Sequence, residues 1–190
     1  MSAASGRRLN ERAKLPRGIA LILRAAAFAA HKHRDQRRKD KSASPYINHP
    51  IALAAVLSRV GGITNANVLA AALLHDTLED TETTRAELRA AFGPKIANIV
   101  AEVTDNKRLR KQRRKELQVE HAAHISKSAK LVKLADKIAN LSDLIASPPA
   151  GWPLQRKREY FDWAKRVIDQ VRGTNSNLER KFDALYRKRP

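Results

Sequence analysis

The segment that decides the fold is NVLAAALLHDTLED, residues 67–80. Its first part is apolar on every side of a helix, which predicts a helix buried in the core. This helix runs to His75 and Asp76, and Glu79 and Asp80 follow within about one turn. A buried carboxylate is very unfavourable unless it finds a cation or hydrogen-bond donors. The segment therefore indicates an active site rather than a solvated helix end.

The rest of the chain has a helical pattern almost throughout. Seven glycines and eight prolines interrupt 190 residues, mostly at plausible helix boundaries, and no long alternating strand pattern occurs. A second buried stripe runs through SAKLVKLADKIANLSDLI, residues 128–145. The sequence predicts an all-α protein with a single helical bundle over residues 19–190. Residues 1–18 are interpreted as a charged, poorly ordered leader.

Composition limits the classes of function. The absence of cysteine excludes disulfides, thiolate zinc sites and thiol nucleophiles, and it is compatible with a cytoplasmic location. No run of about 18 apolar residues is present, so we expect no membrane span. With 38 Lys and Arg against 19 Asp and Glu, the formal net charge of +19 favours an anionic partner.

Four side chains are candidate metal ligands: His49, His75, Asp76 and Asp136. Two imidazoles and two carboxylates suit Mn²⁺, Fe²⁺ or Zn²⁺, and disfavour Mg²⁺ or Ca²⁺. Each has an ordinary structural alternative, such as a histidine that caps a helix or an acid that pairs with a neighbouring lysine. Spacing alone does not decide whether the four converge. The other four histidines, at positions 31, 33, 121 and 124, are interpreted as structural or surface residues.

Other nucleophiles find no support in the sequence. It contains no cysteine, no G-x-S-x-G elbow and no glycine-rich phosphate loop. Water activated by a metal is therefore the remaining nucleophile.

Several motifs occur in the order found in one known family. They include RRKDKSASPYINHP (37–50), AALLHDTLEDT (71–81) and AKLVKLADKIANLSDL (129–144). From about Ala20 to Arg187 the chain resembles the small alarmone hydrolases, which are HD-domain metal phosphohydrolases. These are similar to the hydrolase domain of the synthetase–hydrolases of the stringent response.

The resemblance implies an Mn²⁺-dependent hydrolase that removes pyrophosphate from the 3′ position of guanosine tetra- and pentaphosphate, (p)ppGpp, giving GDP or GTP. By motif, the metal ligands are the four candidates named above, and Glu79 and Asp80 orient and activate the water; which of the two is the base stays open. The resemblance also implies four nucleotide-binding residues: Arg38, Lys39, Asn140 and Tyr160. Ser142 departs from the family pattern, where relatives carry arginine.

Two alternatives remain at this point. The same metal site could act on another phosphorylated nucleotide such as NADPH, and the departure at Ser142 keeps this open. The basic run KRLRKQRRK, residues 107–115, could instead belong to a nucleic-acid-binding module with an inactive HD fold. Asp76, Glu79 and Asp80 would repel phosphates without a cation between them, so we do not expect nucleic-acid binding. The sequence does not predict the oligomeric state.

Overall fold

The computed structural model describes residues 15–190. Residues 1–14, the larger part of the predicted leader, lie outside the described residues. The described chain forms ten helices: α1 (Arg17–Lys32), α2 (Asn48–Arg59), α3 (Ala66–Leu74), α4 (Thr77–Asp80), α5 (Arg85–Phe92), α6 (Pro94–Val103), α7 (Lys111–Ala122), α8 (Lys127–Ala146), α9 (Leu154–Asp169) and α10 (Ser176–Tyr186). In this range the strand-like pairing is one isolated bridge between Arg37 and Pro45. The all-α expectation is confirmed.

The core is built around α3. Its residues Val68 and 70–74 are buried, and it contacts α1, α2, α6 and α8. Helix α8 carries the second buried stripe, which includes Leu134, Ile138 and Leu141. None of the helices in residues 15–190 combines the length and apolar character that a membrane span requires. Because α3 is buried among four neighbouring helices, the position of its C-terminal end is fixed, and so is the position of His75, which follows it.

The chain bends directly after α3. The sequence predicts one helix through Asp76, but α3 ends at Leu74 and the short α4 begins at Thr77. The Thr77 hydroxyl donates to the Leu74 carbonyl at 2.7 Å and satisfies it where the helix is broken. His75 and Asp76 therefore occupy the junction between two helices, where adjacent side chains can point to one place.

Asn175 joins the last helix to the rest of the bundle. Its side-chain oxygen accepts from the Leu178 N–H at 3.0 Å, which caps α10, and its amide donates to the Gly61 carbonyl at 2.9 Å. We expect Asn175→Ala to lower the free energy of unfolding by about 1–2 kcal/mol, because it removes a helix cap and a tertiary hydrogen bond. Urea unfolding measures this loss. The exposed Asn177 supplies a matched control, and an equal loss in Asn177→Ala would contradict the assignment.

Candidate active site

Three helices bring the candidate metal ligands together. His49 lies in the first turn of α2, His75 directly follows α3, and Asp136 lies in the middle of α8. One side-chain ligand atom from each of the three lies within 4.8 Å of the others. These residues border a cavity of about 190 Å³, which we call the active-site cavity. Residues separated by as many as 87 positions thus meet at one point.

The His75 ring is oriented by the backbone. Its Nδ1 lies 2.9 Å from the Ala72 carbonyl oxygen, which can only accept, so Nδ1 carries the proton in the neutral ring. Its Nε2 is buried and has no hydrogen-bond partner in residues 15–190. The Asp76 Oδ2 lies 2.8 Å from this Nε2 without the alignment of a hydrogen bond. An unpaired imidazole nitrogen beside a carboxylate oxygen is the arrangement expected of two ligands of one cation.

Asp136 is the centre of the polar network. Its Oδ1 lies 3.3 Å from His49 Nε2 and accepts from Asn140 Nδ2 at 2.6 Å. Its Oδ2 accepts from Lys137 Nζ at 2.8 Å. Burial would raise the pKa of Asp136, but Lys137 and the His49 ring hold this pKa well below its usual range. The carboxylate is therefore ionised and available to a cation.

Asp76 is held by an aromatic hydroxyl. Tyr46 donates its hydroxyl proton to Asp76 Oδ2. Burial would raise the pKa of Asp76, but the neighbouring His75 ring keeps it below its usual range. Burial alone would lower the pKa of His75, whereas the carboxylates of Asp76 and Asp136 raise it to about 9. The cluster thus attracts positive charge, which either protons or a metal ion can supply.

The chemistry of the donor set fits a divalent transition metal. The converging group consists of His49, His75 and Asp136, and each of its two imidazoles has a buried ring nitrogen without a hydrogen-bond partner in residues 15–190. The Asp76 carboxylate lies beside this group, 2.8 Å from His75 Nε2. Two imidazoles and two carboxylates suit Mn²⁺, Fe²⁺ or Zn²⁺ better than an all-oxygen cation site does. The residues therefore fit the metal that the HD-type pattern implies.

Glu79 faces the same cavity with a perturbed carboxyl group. Its Oε2 accepts from the Asp105 backbone N–H at 3.0 Å, and its Oε1 lies 3.4 Å from Arg114 Nη1. Burial is the main cause that raises the pKa of Glu79 to about 7; the Asp105 N–H opposes it, and the Asp105 and Asp76 carboxylates add to it. A carboxyl group with this pKa can exchange a proton near neutral pH.

Asp80 is fixed by two donors. Its Oδ2 accepts from Gln36 Nε2 at 3.2 Å, and its Oδ1 accepts from Lys107. Gln36 is fixed in turn, because its Oε1 lies 2.6 Å from Nδ1 of the buried His33. His33 was expected to be structural or at the surface; it is buried and reaches Asp80 through Gln36. These contacts orient Asp80 rather than leave it free to move.

The four predicted nucleotide-binding residues do not all reach the cavity. Arg38 and Asn140 line it, and Arg38 Nη2 also donates to Asp143 Oδ2 at 2.6 Å. Tyr160 lies behind this lining between Trp152 and Trp163, with ring centroids 5.9 and 5.2 Å away. Lys39 is exposed and outside the lining.

Sequence reasoning missed several residues that hold the site. They are Tyr46, Gln36, Asp105, Lys107 and Arg114, which contact Asp76, Glu79 or Asp80. Tyr46 stands three residues before His49, a spacing that could have suggested a shared site. Gln36 and Asp105 are brought in by the loops after α1 and α6, and no local pattern marks them. Lys107 and Arg114 belong to the basic run 107–115, whose sequence did not indicate contacts with the acids.

Comparisons with known proteins agree with this geometry. Residues 25–162 match the HD domain family. A guanosine-3′,5′-bis(diphosphate) 3′-pyrophosphohydrolase MESH1 from Xenopus tropicalis is 59% identical over 167 residues, covering 88% of this chain and 93% of the relative. The Homo sapiens protein of the same name is 54% identical, over 90% of this chain and 95% of its own length.

A solved structure matches the whole bundle. It is described as "A metazoan ortholog of SpoT hydrolyzes ppGpp and plays a role in starvation responses". It superposes with a TM-score of 0.88 at 49% sequence identity, covering 93% of this chain and 98% of the other. With the HD domain match and the relatives above, this likeness shows that the chain belongs to the HD-domain family of small alarmone hydrolases.

Proposed function

We propose that this protein removes pyrophosphate from the 3′ position of guanosine tetra- and pentaphosphate, giving GDP or GTP, with Mn²⁺ as its cation. The observation that carries the proposal is the convergence of His49, His75 and Asp136 beside the raised-pKa carboxyl of Glu79. The relatives named above, which cover nearly the whole chain, are named for this reaction.

His49, His75, Asp76 and Asp136 would hold the cation. Bound there, a divalent cation would offset charge on the phosphoryl oxygens and make water a stronger acid. His75 can serve as a ligand without first losing a hydrogen bond, because its Nε2 has no partner in residues 15–190. Lys137 and Asn140 keep Asp136 ionised and oriented. The site is therefore preorganised by this chain's own side chains.

Glu79 is the better candidate for the base, and Asp80 for the orienting acid. The pKa of Glu79 near 7 lets it take a proton from the water whose oxygen bonds to the proximal phosphorus. The bond from that phosphorus to the 3′ oxygen breaks, pyrophosphate leaves, and the 3′ oxygen takes up a proton to become a hydroxyl. Both oxygens of Asp80 accept hydrogen bonds, from Gln36 and Lys107, and both oxygens of Glu79 accept them from the Asp105 N–H and Arg114. The raised pKa of Glu79 is therefore what favours it as the base and leaves Asp80 to position a group.

Arg38 can bind the anionic nucleotide at the mouth of the cavity. Its guanidinium lies 5.7 Å from the Tyr46 ring centroid and pairs with Asp143, and these two contacts restrict its position. A planar guanidinium can bind phosphate with two hydrogen bonds or stack on a base. Lys39, Asn140 and Tyr160 are proposed as its neighbours in nucleotide binding.

The basic run of residues 107–115 does not favour a nucleic-acid-binding module. Lys107 pairs with Asp80 and Arg114 with Glu79, so two of its cations serve the active site. Arg113 pairs with Glu116 and Glu120 on its own helix. Three of the seven cations of the run are thus paired with carboxylates, whereas Arg108, Arg110, Lys111 and Lys115 have no ion pair in residues 15–190. The cytoplasmic location expected from the sequence stays a prediction.

The test of the proposal is turnover of guanosine tetraphosphate by purified protein. We expect release of pyrophosphate with Mn²⁺, loss of activity after chelation, and recovery with Mn²⁺ but not with Mg²⁺, because Mg²⁺ prefers oxygen ligands. NADPH and guanosine nucleotides that lack the 3′ diphosphate serve as comparison substrates. Intact guanosine tetraphosphate, under conditions where a known hydrolase degrades it, would contradict the proposal.

A further inference from the structure

Lys133 is a buried ammonium that the mechanism above does not use. It lies on α8 one turn before Asp136 and is only 6% exposed. Lys137, one turn after Lys133 on the same helix, donates a hydrogen bond to Asp136. Lys133, by contrast, has no hydrogen-bond or ion-pair partner in residues 15–190. An ammonium group with so little access to solvent and no carboxylate partner would be stabilised by an anionic ligand.

A second cavity of about 220 Å³ lies beside Lys133, between the end of α6, α7 and the start of α8. We call it the side cavity. Asp105, Gln118 and Lys133 border both this cavity and the active-site cavity, so the two adjoin. A group bound in the active-site cavity thus has the side cavity next to it, and Lys133 lies on the wall common to the two cavities.

The free polar groups of the side cavity include donors suited to an anion. Arg114 Nε, a donor, and Gln118 Oε1, an acceptor, are buried without hydrogen-bond partners in the described part of the chain. The two acids of the lining already accept hydrogen bonds: Glu102 from the Ser126 N–H at 2.9 Å, and Asp105 from Gln118 Nε2 at 2.6 Å. The cationic donors of Lys133 and Arg114 are therefore less satisfied than the carboxylates.

We propose that Lys133 binds the distal phosphate of the substrate's 3′ diphosphate where the active-site cavity meets the side cavity. This rests on the proposed function, which puts the proximal phosphate beside His75 and Asp136. The distal phosphate then enters the space shared with the side cavity, and Lys133 makes the site select a 3′ diphosphate over a 3′ monophosphate. Lys133 is thus a specificity-determining residue.

The ionisation of Lys133 is compatible with this role. Burial and the nearby Lys137 lower its pKa to about 8, against the opposing effect of Asp105, Asp136 and Glu79. The group therefore remains mostly an ammonium at pH 7. A bound phosphate would stabilise that charged form further.

The test compares two nucleotides in the Mn²⁺-loaded protein. Guanosine tetraphosphate carries a 3′ diphosphate, and guanosine 5′-diphosphate 3′-monophosphate lacks only the distal phosphate. In Lys133→Met we expect kcat/KM for the first to fall about 10- to 100-fold, the loss typical of a charge-assisted hydrogen bond. The inhibition constant of the second should change less than about threefold. Equal weakening of both nucleotides, or of neither, would overturn the subsite.

Two controls separate this role from a structural one. Lys127→Met, an exposed lysine on the same helix, should leave both nucleotides unaffected. The melting temperature of Lys133→Met should stay equal or rise, because a buried unpaired charge is replaced by an apolar chain of similar length. A lower melting temperature together with loss of both nucleotides would mean that Lys133 only supports the fold.

A direct measurement keeps the subsite testable even if the protein fails to hydrolyse guanosine tetraphosphate. Calorimetry with inorganic pyrophosphate and the Mn²⁺-loaded protein should give a Kd that rises about 10- to 100-fold in Lys133→Met. Inorganic phosphate, which has no distal group, should bind equally to both proteins. Unchanged pyrophosphate affinity would overturn the subsite, whereas absent turnover in the wild type would overturn only the proposed function.

Discussion

Replacing His75 with alanine is expected to remove both the bound cation and the hydrolase activity. The imidazole contributes a buried nitrogen that has no hydrogen-bond partner among residues 15–190 and is flanked by the carboxylates of Asp76 and Asp136. Without the imidazole, the site lacks one oriented nitrogen ligand, and the two remaining carboxylates repel each other unless a cation lies between them. We expect kcat/KM to fall by a factor of about a thousand or more, because activation of water depends on the cation.

Metal content and activity should be measured on the same preparation of His75→Ala. Dialysis against Mn²⁺ followed by elemental analysis should give well under one equivalent, against about one equivalent for the wild type. His124→Ala is the matched control, since His124 is exposed and is not among the residues that line the active-site cavity. A variant that binds Mn²⁺ normally and keeps its activity would exclude His75 as a ligand.

Glu79→Gln is expected to lose activity while keeping the cation. The substitution retains the shape of the side chain and its contact with the Asp105 N–H, but it cannot accept a proton. We expect kcat to fall about 100- to 10,000-fold, the contribution typical of a positioned general base. Steady-state kinetics at saturating Mn²⁺, together with metal analysis, separates this loss from loss of the cation.

The pH profile gives an independent measure of the same role. A base must be deprotonated, so activity should decrease as the pH falls below the pKa of Glu79, which burial raises to about 7. A bound cation would move this limb to lower pH. Glu87→Gln, at an exposed ion pair with Lys32, should leave rate and profile unchanged. A Glu79→Gln enzyme with the wild-type rate would assign the base to another group.

Much of the fold can be predicted from local sequence patterns. The apolar run before His75 predicts the central helix, and the stripe through Leu134 and Ile138 predicts α8, because helical spacing depends only on neighbours along the chain. The bend after Leu74 was not predicted from the sequence, because a threonine hydroxyl that donates to a preceding carbonyl, as Thr77 does here, also occurs within unbroken helices.

The sequence also predicted the candidate metal ligands, from their residue types, from their places at the ends and in the middle of apolar helices, and from the resemblance to the small alarmone hydrolases. Their convergence was not, because His49, His75 and Asp136 lie on separate helices whose packing sets the distances between them.

By itself, the sequence determined an all-helical bundle, a donor set suited to a divalent transition metal and a net positive charge that favours anionic partners. Only the tertiary structure shows which side chains bond to Asp76 and Asp80, and that the largely buried Lys133 has no partner within residues 15–190. Tyr46, Gln36 and Lys107 reach their acids across 27 to 44 positions, and Lys133 became notable only once its surroundings were known. The physical reason is that hydrogen bonds and burial depend on distances in space, whereas periodicity and charge depend on order along the chain.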